Sequence, residues 1–298
     1  MSSPKVLTAI DFGEASLEGL RQARALAHGL GGTVAACHVL PADNDLSRLF
    51  PGRGLDTATD GAAEENAVRQ ALKDHARSTL GLELTELFVA RGSAYAEIVR
   101  RAETWGASFI VVGSHGRTGF ARAVLGSVAE RVARYAHCSV LVARPSPEGG
   151  PVLVATDLSD PSVPAIAAGA AAAKRRGARL VVASALEWND TVLGSAGGLL
   201  GVMPAVPPLE LRQQMCDALR TTLEGAMARV EAVGEARVLD GSAASAIVAC
   251  AEELGAALVV VGTHGRTGLS RLALGSVAER VIRSAGCSVL AVRLHGQS

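Results

Sequence analysis

GSHGRTGFARAVLGSVAERVARYAHCSVLVAR, residues 113–144, returns as GTHGRTGLSRLALGSVAERVIRSAGCSVLAVR at residues 262–293. The two segments share 22 of 32 positions at an offset of 149. The starts of the halves echo as well, Leu7-Thr-Ala-Ile-Asp-Phe12 against Leu153-Val-Ala-Thr-Asp-Leu158. Solenoid repeats recur every ~20–50 residues, so a period near 150 denotes a duplicated domain. The chain's 298 residues accommodate two domains at the usual ~100–200 residues each. Between the halves, Pro145, Pro147, Gly149 and Gly150 interrupt all apolar periodicity, which marks a connection. The expected domains are 1–145 and 151–294, with 146–150 as linker.

Inside each half, short β-branched runs alternate with longer helical periods, the signature of βαβ units and a parallel sheet. In the first half, strands are expected at Lys5–Ile10, Thr33–Val39, Glu83–Val89, Phe109–Val112 and Val140–Ala143. Helices are expected near Ser16–Leu30, Ala63–Leu80, Tyr95–Trp105 (with Ser93 as N-cap) and Val128–Ala136. The second half repeats this, with strands at Val152–Ala155, Arg179–Leu186, Glu235–Val238, Leu258–Val261 and Val289–Val292. Its helices are expected near Ser162–Arg176, Leu209–Val233, Ser245–Leu254 and Val277–Ala285. The stretches Pro41–Ala62 and Glu187–Pro208, rich in Gly, Pro, Asp and Ser, read as loops.

Composition narrows the function classes. Hydrophobic residues make up 49% and aromatic ones only 3%, so the cores must be Ala, Val and Leu packed closely. Zero formal charge and a pI near 7.1 lack the electrostatic footprint of a nucleic-acid or polybasic membrane binder. The N-terminal run reaches Asp11 too soon for a signal peptide. No segment approaches the ~18 apolar residues of a membrane span. Five widely spaced cysteines without a CxxC pair or zinc-type spacing read as buried thiols of a cytoplasmic protein, not as metal ligands.

In an open parallel α/β sheet, ligands bind beyond the carboxyl ends of the strands, where the strand order reverses. Two features are expected to meet there. One is the carboxylate ending the first strand, Asp11 or Asp157, suited to a ribose hydroxyl or an adenine amine. The other is the glycine-rich loop after the fourth strand. Gly113, Gly116 and Gly126, and Gly262, Gly265 and Gly275, remove Cβ atoms where backbone N–H groups must approach an anion. Ser127 and Ser276 are expected as N-caps of helices beginning at Val128 and Val277, whose free amides attract phosphate. Glu130 and Glu279, three residues on, complete a capping box. The alternative reading is a well-capped helix after a loop, with no ligand. His115, His264, Arg117 and Arg266 either add charge near the phosphates or turn outward. Trp105 reads as helix packing.

G-x-x-G, nine residues, then G-S occurs in both halves, and it resembles the nucleotide-binding motif of the ATP-binding universal stress proteins. The resemblance covers nearly the whole chain, including the first-strand Asp and the closing Cys-Ser-Val-Leu strand. It implies a tandem pair of adenine-nucleotide α-hydrolase-like, Rossmann-like α/β domains, each a five-stranded parallel sheet with helices on both faces. It further implies ATP, with ADP, AMP and an accompanying Mg²⁺ left open, held between Asp11 or Asp157 and the glycine loop. Backbone near Ala9 and Val39, and near Ala155 and Ala185, would border the adenine. The halves would pair internally through their fifth strands, with a homodimer of chains left open and a protein partner unnamed. The first half reads Ala9-Ile-Asp-Phe-Gly13 where the second reads Ala155-Thr-Asp-Leu-Ser159; the first site therefore lacks two hydroxyl donors and is expected to be the less secure.

Three functions follow. The favoured one is a regulatory module of a stress response, occupied by ATP and recognised in that state. A slow ATP hydrolase or phosphotransferase is the second, disfavoured because no GxxxxGK[ST] lysine and no acidic pair for Mg²⁺ is legible; no catalytic residue is assigned. A nucleotide-free dimeric scaffold is the third.

Overall fold

The computed structural model describes residues 3–41, 61–115, 125–187, 208–263 and 274–293. Most of the two expected loops, together with Gly116, Arg117, His264, Gly265 and Arg266, lie outside the described residues. The described chain divides into two compact units, one within Met1–Pro145 joined by Arg293, the other within Ser146–Val292.

The first unit runs β1 (Lys5–Ala9), α1 (Glu14–Leu30), β2 (Thr33–Leu40), α2 (Gly61–Leu80), β3 (Leu87–Arg91), α3 (Ala94–Trp105), β4 (Phe109–Gly113), α4 (Ser127–Tyr135) and β5 (Ser139–Ala143). Every pairing is parallel, in the spatial order β3-β2-β1-β4-β5. The order reverses between β1 and β4, so right-handed crossovers leave α1 and α2 on one face and α3 and α4 on the other. Both faces being covered, the strands read as continuous apolar runs: Ile110, Val111 and Val112 are all buried, as is all of β5.

The second unit repeats the plan with β6 (Val152–Ala155), a 3-10 turn at Asp160–Ser162, α5 (Val163–Arg176), β7 (Leu180–Leu186), α6 (Leu209–Arg229), β8 (Glu235–Asp240), α7 (Ala243–Glu253), β9 (Leu258–Gly262), α8 (Ser276–Ser284) and β10 (Ser288–Val292). Its parallel order is β8-β7-β6-β9-β10.

With few aromatics to fill space, helix and sheet approach closely through small residues. A Cβ on Gly169 of α5 would lie 2.1 Å from Val154 Cγ2, and one on Gly19 of α1 only 3.4 Å from the Gly113 nitrogen. An apolar cluster sits beneath α2, where Val68, Leu72 and Ala76 meet Ile10, Leu20, Leu40, Leu84 and Leu87.

Element boundaries depart from expectation by two residues or more in six elements. β3 begins at Leu87, not Glu83, because Leu82 and Leu84 pack against the α2 cluster before the chain joins the sheet. β8 continues to Asp240 and α6 stops at Arg229. α1, α2 and α7 each start two residues early, at Glu14, Gly61 and Ala243. Ser93 does stand at the N-cap of α3, but its hydroxyl makes no capping hydrogen bond.

Candidate functional site

Pairing of the first strand continues one residue past its end in each unit. Ile10 N–H donates to the Cys37 carbonyl at 2.9 Å and Thr156 N–H to the Ala183 carbonyl at 3.0 Å. The chain then turns on the aspartate. Gly13 N–H donates to Asp11 Oδ1 at 2.7 Å, and Ser159 N–H to Asp157 Oδ1 at 3.0 Å. Each is a carboxylate closing a turn on the backbone two residues on.

A buried serine five residues after each aspartate fastens this turn to the helix behind it. Ser16 Oγ accepts from Asp11 N–H at 3.1 Å and lies 2.9 Å from the carbonyls of both Asp11 and Gly13. Ser162 Oγ donates to the Ser159 carbonyl at 2.8 Å and lies 2.7 Å from Thr156 Oγ1. Neither serine was expected at the site, although Asp11…Ser16 and Asp157…Ser162 share one spacing in both halves and the repeat could have exposed them. A second unexpected contributor is His38 of β2: its Nδ1–H donates to the Ile10 carbonyl at 2.7 Å, and its ring lies 6.1 Å from that of Phe12.

The hydroxyls present only in the second half are not held out as ligand donors, which corrects the expectation drawn from Ile10 and Gly13. Thr156 Oγ1 accepts the Leu158 N–H at 3.0 Å, and the Ser159 hydroxyl donates to Asp157 Oδ1 at 2.6 Å. Both serve the turn itself, which carries Leu158 at a left-handed φ of 61°.

At the other side of the crevice, β4 and β9 lead into the glycine-rich loops. Register pairs Thr8 with Val111 and Ala155 with Val261, so each aspartate turn and the neighbouring loop leave the same carboxyl edge of the parallel sheet. Gly113 has a reason other than anion approach: a Cβ there would lie 2.5 Å from the Ala15 carbonyl oxygen, so the end of β4 touches the first turn of α1. The loop bases are pinned alike. Gly126 N–H donates to the Ser114 carbonyl at 2.7 Å and Gly275 N–H to the Thr263 carbonyl at 2.9 Å. Those two amides are committed within the fold and do not face a ligand.

The expected serine caps are also corrected. Gly126 and Gly275 are the N-cap residues, in extended conformation, and Ser127 and Ser276 are the first helical residues. Glu130 and Glu279 do not form a capping box but pair with Arg134 and Arg283 one turn on. The amides of Ser127, Val128 and Ala129, and of Ser276, Val277 and Ala278, therefore have no intrahelical acceptor and form the positive ends of α4 and α8. Val128 and Val277 stand exposed there at 37% and 38%. His115 Nδ1 lies 3.0 Å from the hydroxyl of its neighbour Ser114. The backbone expected to border a base sits at the carboxyl end of the sheet, Ala9 in register with Cys37, Val39 with Ala90, Ala155 with Ala183 and Ala185 with Leu239.

Among the described residues, no group of three or more His, Cys, Asp and Glu is placed to hold a metal ion. None of their helices is long and apolar enough to cross a membrane.

The sequence pattern of the Universal stress protein family matches residues 3–144 and again 150–293. A universal stress protein of Mycobacterium tuberculosis is 34% identical over 195 residues, 63% of this chain and 62% of that protein; the match thus spans less than two thirds of the relative's length. Among solved structures, a universal stress protein from Archaeoglobus fulgidus aligns over 99% of this chain and 100% of its own, with a TM-score of 0.62 at 22% identity. A Pseudomonas aeruginosa protein described as a putative universal stress protein aligns over 99% and 94%, with a TM-score of 0.65 at 20% identity. These two bear on the fold. With both halves matched separately by the family pattern, the chain belongs to the universal stress protein family and carries its domain twice.

Proposed function

We infer that each half binds one adenine nucleotide, ATP foremost, and that the occupied protein acts as a regulatory module read by a protein partner. The observation that carries this reading is a duplicated juxtaposition. In both halves, an aspartate held in a backbone turn stands at the strand-order reversal, beside a loop that ends in a helix N-terminus with unpaired amides. The carboxylate suits hydroxyl or amine donors and the helix end suits phosphate, a polarity that matches a nucleoside phosphate lying across the crevice. The proposed contacts are the Asp11 carboxylate with the Ser127 and Val128 amides, and the Asp157 carboxylate with the Ser276 and Val277 amides. Gly113, Gly116 and Gly126, and Gly262, Gly265 and Gly275, are proposed to border the phosphates through the loop rather than through the Gly126 and Gly275 amides, which are already bonded. Arg117, Arg266, His115 and His264 stand near enough in sequence to add charge to the phosphate end.

Denaturing the purified chain and quantifying released nucleotide by liquid chromatography and mass spectrometry tests the reading. Close to two moles of adenine nucleotide per mole of chain is expected, or uptake of two on titration with Mg-ATP. No nucleotide, no heat on titration and no rise in melting temperature would leave the scaffold reading in its place, since a ligand specific for the native state must raise stability by mass action. Internal pairing of the two halves belongs to the same proposal, and a homodimer of chains stays open beside it, to be decided by sedimentation of the intact chain.

A further inference from the structure

The two aspartates differ in how much of their acceptor capacity the protein already uses. Asp157 Oδ1 receives two donors from a single residue, the Ser159 N–H at 3.0 Å and the Ser159 hydroxyl at 2.6 Å. Asp11 Oδ1 receives one described donor, the Gly13 N–H at 2.7 Å. A carboxylate oxygen offers two lone pairs, so both directions on Asp157 Oδ1 are taken where one on Asp11 Oδ1 stays open. The backbone does not account for the difference. Gly13 sits at φ −91° and ψ 149°, Ser159 at φ −74° and ψ 154°. Both lie in the extended region open to any residue, and the hydroxyl is what separates the two turns.

We propose that Ser159 is an affinity-determining residue of the second half: its hydroxyl occupies the Asp157 oxygen that Asp11 leaves open to a ligand's second donor. The inference rests on the nucleotide-binding reading above. A nucleoside presents paired donors, the vicinal ribose hydroxyls or a hydroxyl and the adenine amine. Such a pair spans both oxygens of Asp11, whereas at Asp157 it must first displace a short hydrogen bond to a charged acceptor. Displacing one such bond weakens binding about tenfold. The first half is thus the tighter site, the reverse of what the missing hydroxyls at Ile10 and Gly13 suggest.

The test swaps the two residues in the full chain while one half is silenced by bulk at its helix cap. In a Gly126→Leu background, Ser159→Gly tightens ATP binding by the second half about tenfold by calorimetric titration. Ser159→Ala, which keeps the Cβ and the backbone bond, does the same. In a Gly275→Leu background, Gly13→Ser weakens the first half by a similar factor. Parallel titration with 2′-deoxy-ATP locates the donor: a gain confined to ATP assigns it to the 2′-hydroxyl, and a gain shared by both nucleotides assigns it to the 3′-hydroxyl or the amine. Swaps that leave ATP affinity within twofold of their parents, or move it in the same direction in both halves, overturn the role of Ser159 while leaving nucleotide binding intact. Absence of ATP binding by the unsubstituted chain overturns both.

Discussion

Replacing Gly113 by alanine separates a packing role from a ligand role. The added Cβ would lie 2.5 Å from the Ala15 carbonyl oxygen, 2.6 Å from its carbon and 2.9 Å from the Ser16 nitrogen. All three are backbone atoms in the first turn of α1, so no side chain can swing aside. Ordinary contact begins near 3.4 Å, which leaves the methyl short by about 0.9 Å. Overpacking of this kind costs about 1–3 kcal/mol, and the lower entropy of the unfolded alanine chain returns up to about 1 kcal/mol. A net loss near 1–2 kcal/mol lowers the melting transition of a domain this size by roughly 2–8 °C. The α1 turn that must shift carries Ser16, whose hydroxyl holds the Asp11 turn, so ATP affinity of the first half falls with it. Gly275→Ala is the contrast: its Cβ stands 3.4 Å from the Thr263 carbonyl oxygen at φ −62° and ψ 146°. It is expected to melt with the unsubstituted protein and to act on ligand approach alone. Differential scanning calorimetry of both variants decides; a Gly113→Ala protein that melts within 1 °C of the parent refutes the packing argument.

Ser16→Ala removes a buried hydroxyl bonded to three backbone groups; a loss of about 1–3 kcal/mol in denaturant titration, with weaker first-half nucleotide binding, is expected. Burial pushes the Cys37 and Cys138 thiols up to about 12 and raises Cys250, so at pH 8 these stay protonated and unreactive. Cys287 is buried and Cys216 only partly so; a thiol reagent should therefore label one cysteine quickly in the native protein and all five in denaturant. Arg91 Nη2 meets Glu64 Oε2 at 2.6 Å with the glutamate side chain 9% exposed, joining α2 to β3. Glu64→Ala is expected to cost roughly 1–3 kcal/mol by chemical denaturation, with little dependence on salt because the pair is mostly buried.

The order and type of the elements were legible because parallel strands covered on both faces leave dense apolar runs, and the repeat supplied each reading twice. Boundaries were less so where burial and pairing give the same pattern. Leu82 and Leu84 alternate as strand residues do, yet their apolar side chains pack against α2 while the backbone remains outside the sheet. At the site, the positions of Asp11, Asp157, Ser127 and Ser276 followed from spacing, but the work done by each neighbouring glycine did not. Gly-Ser before a helix fits a serine cap and a glycine cap equally in one dimension. Only the first intrahelical bonds, Glu130 N–H to the Gly126 carbonyl and Glu279 N–H to the Gly275 carbonyl, distinguish them. Gly113 looked like a third cradle position because close approach of β4 to α1 is a tertiary fact.

Duplication has left the two turns with one skeleton and different fastenings. Ser16 and Ser162 occupy the same place, but around them Ile10 is apolar and buried at 3% exposure where Thr156 brings a hydroxyl. A buried hydroxyl must find partners; Thr156 Oγ1 finds them in Ser162 and the Leu158 N–H. That network holds Leu158 in a left-handed conformation, which costs a non-glycine residue about 1–2 kcal/mol. The first half instead ties Ile10 through the imidazole of His38, where the second has Ser184 at the corresponding place after β7's registered Ala183. Each aspartate is therefore held by its own interdependent set. Ser159 can be exchanged alone because its backbone matches that of Gly13, but Thr156 cannot: converting it to isoleucine removes the acceptor of Leu158 N–H and a partner of Ser162 in one step, leaving a strained residue without the bond that offsets its strain.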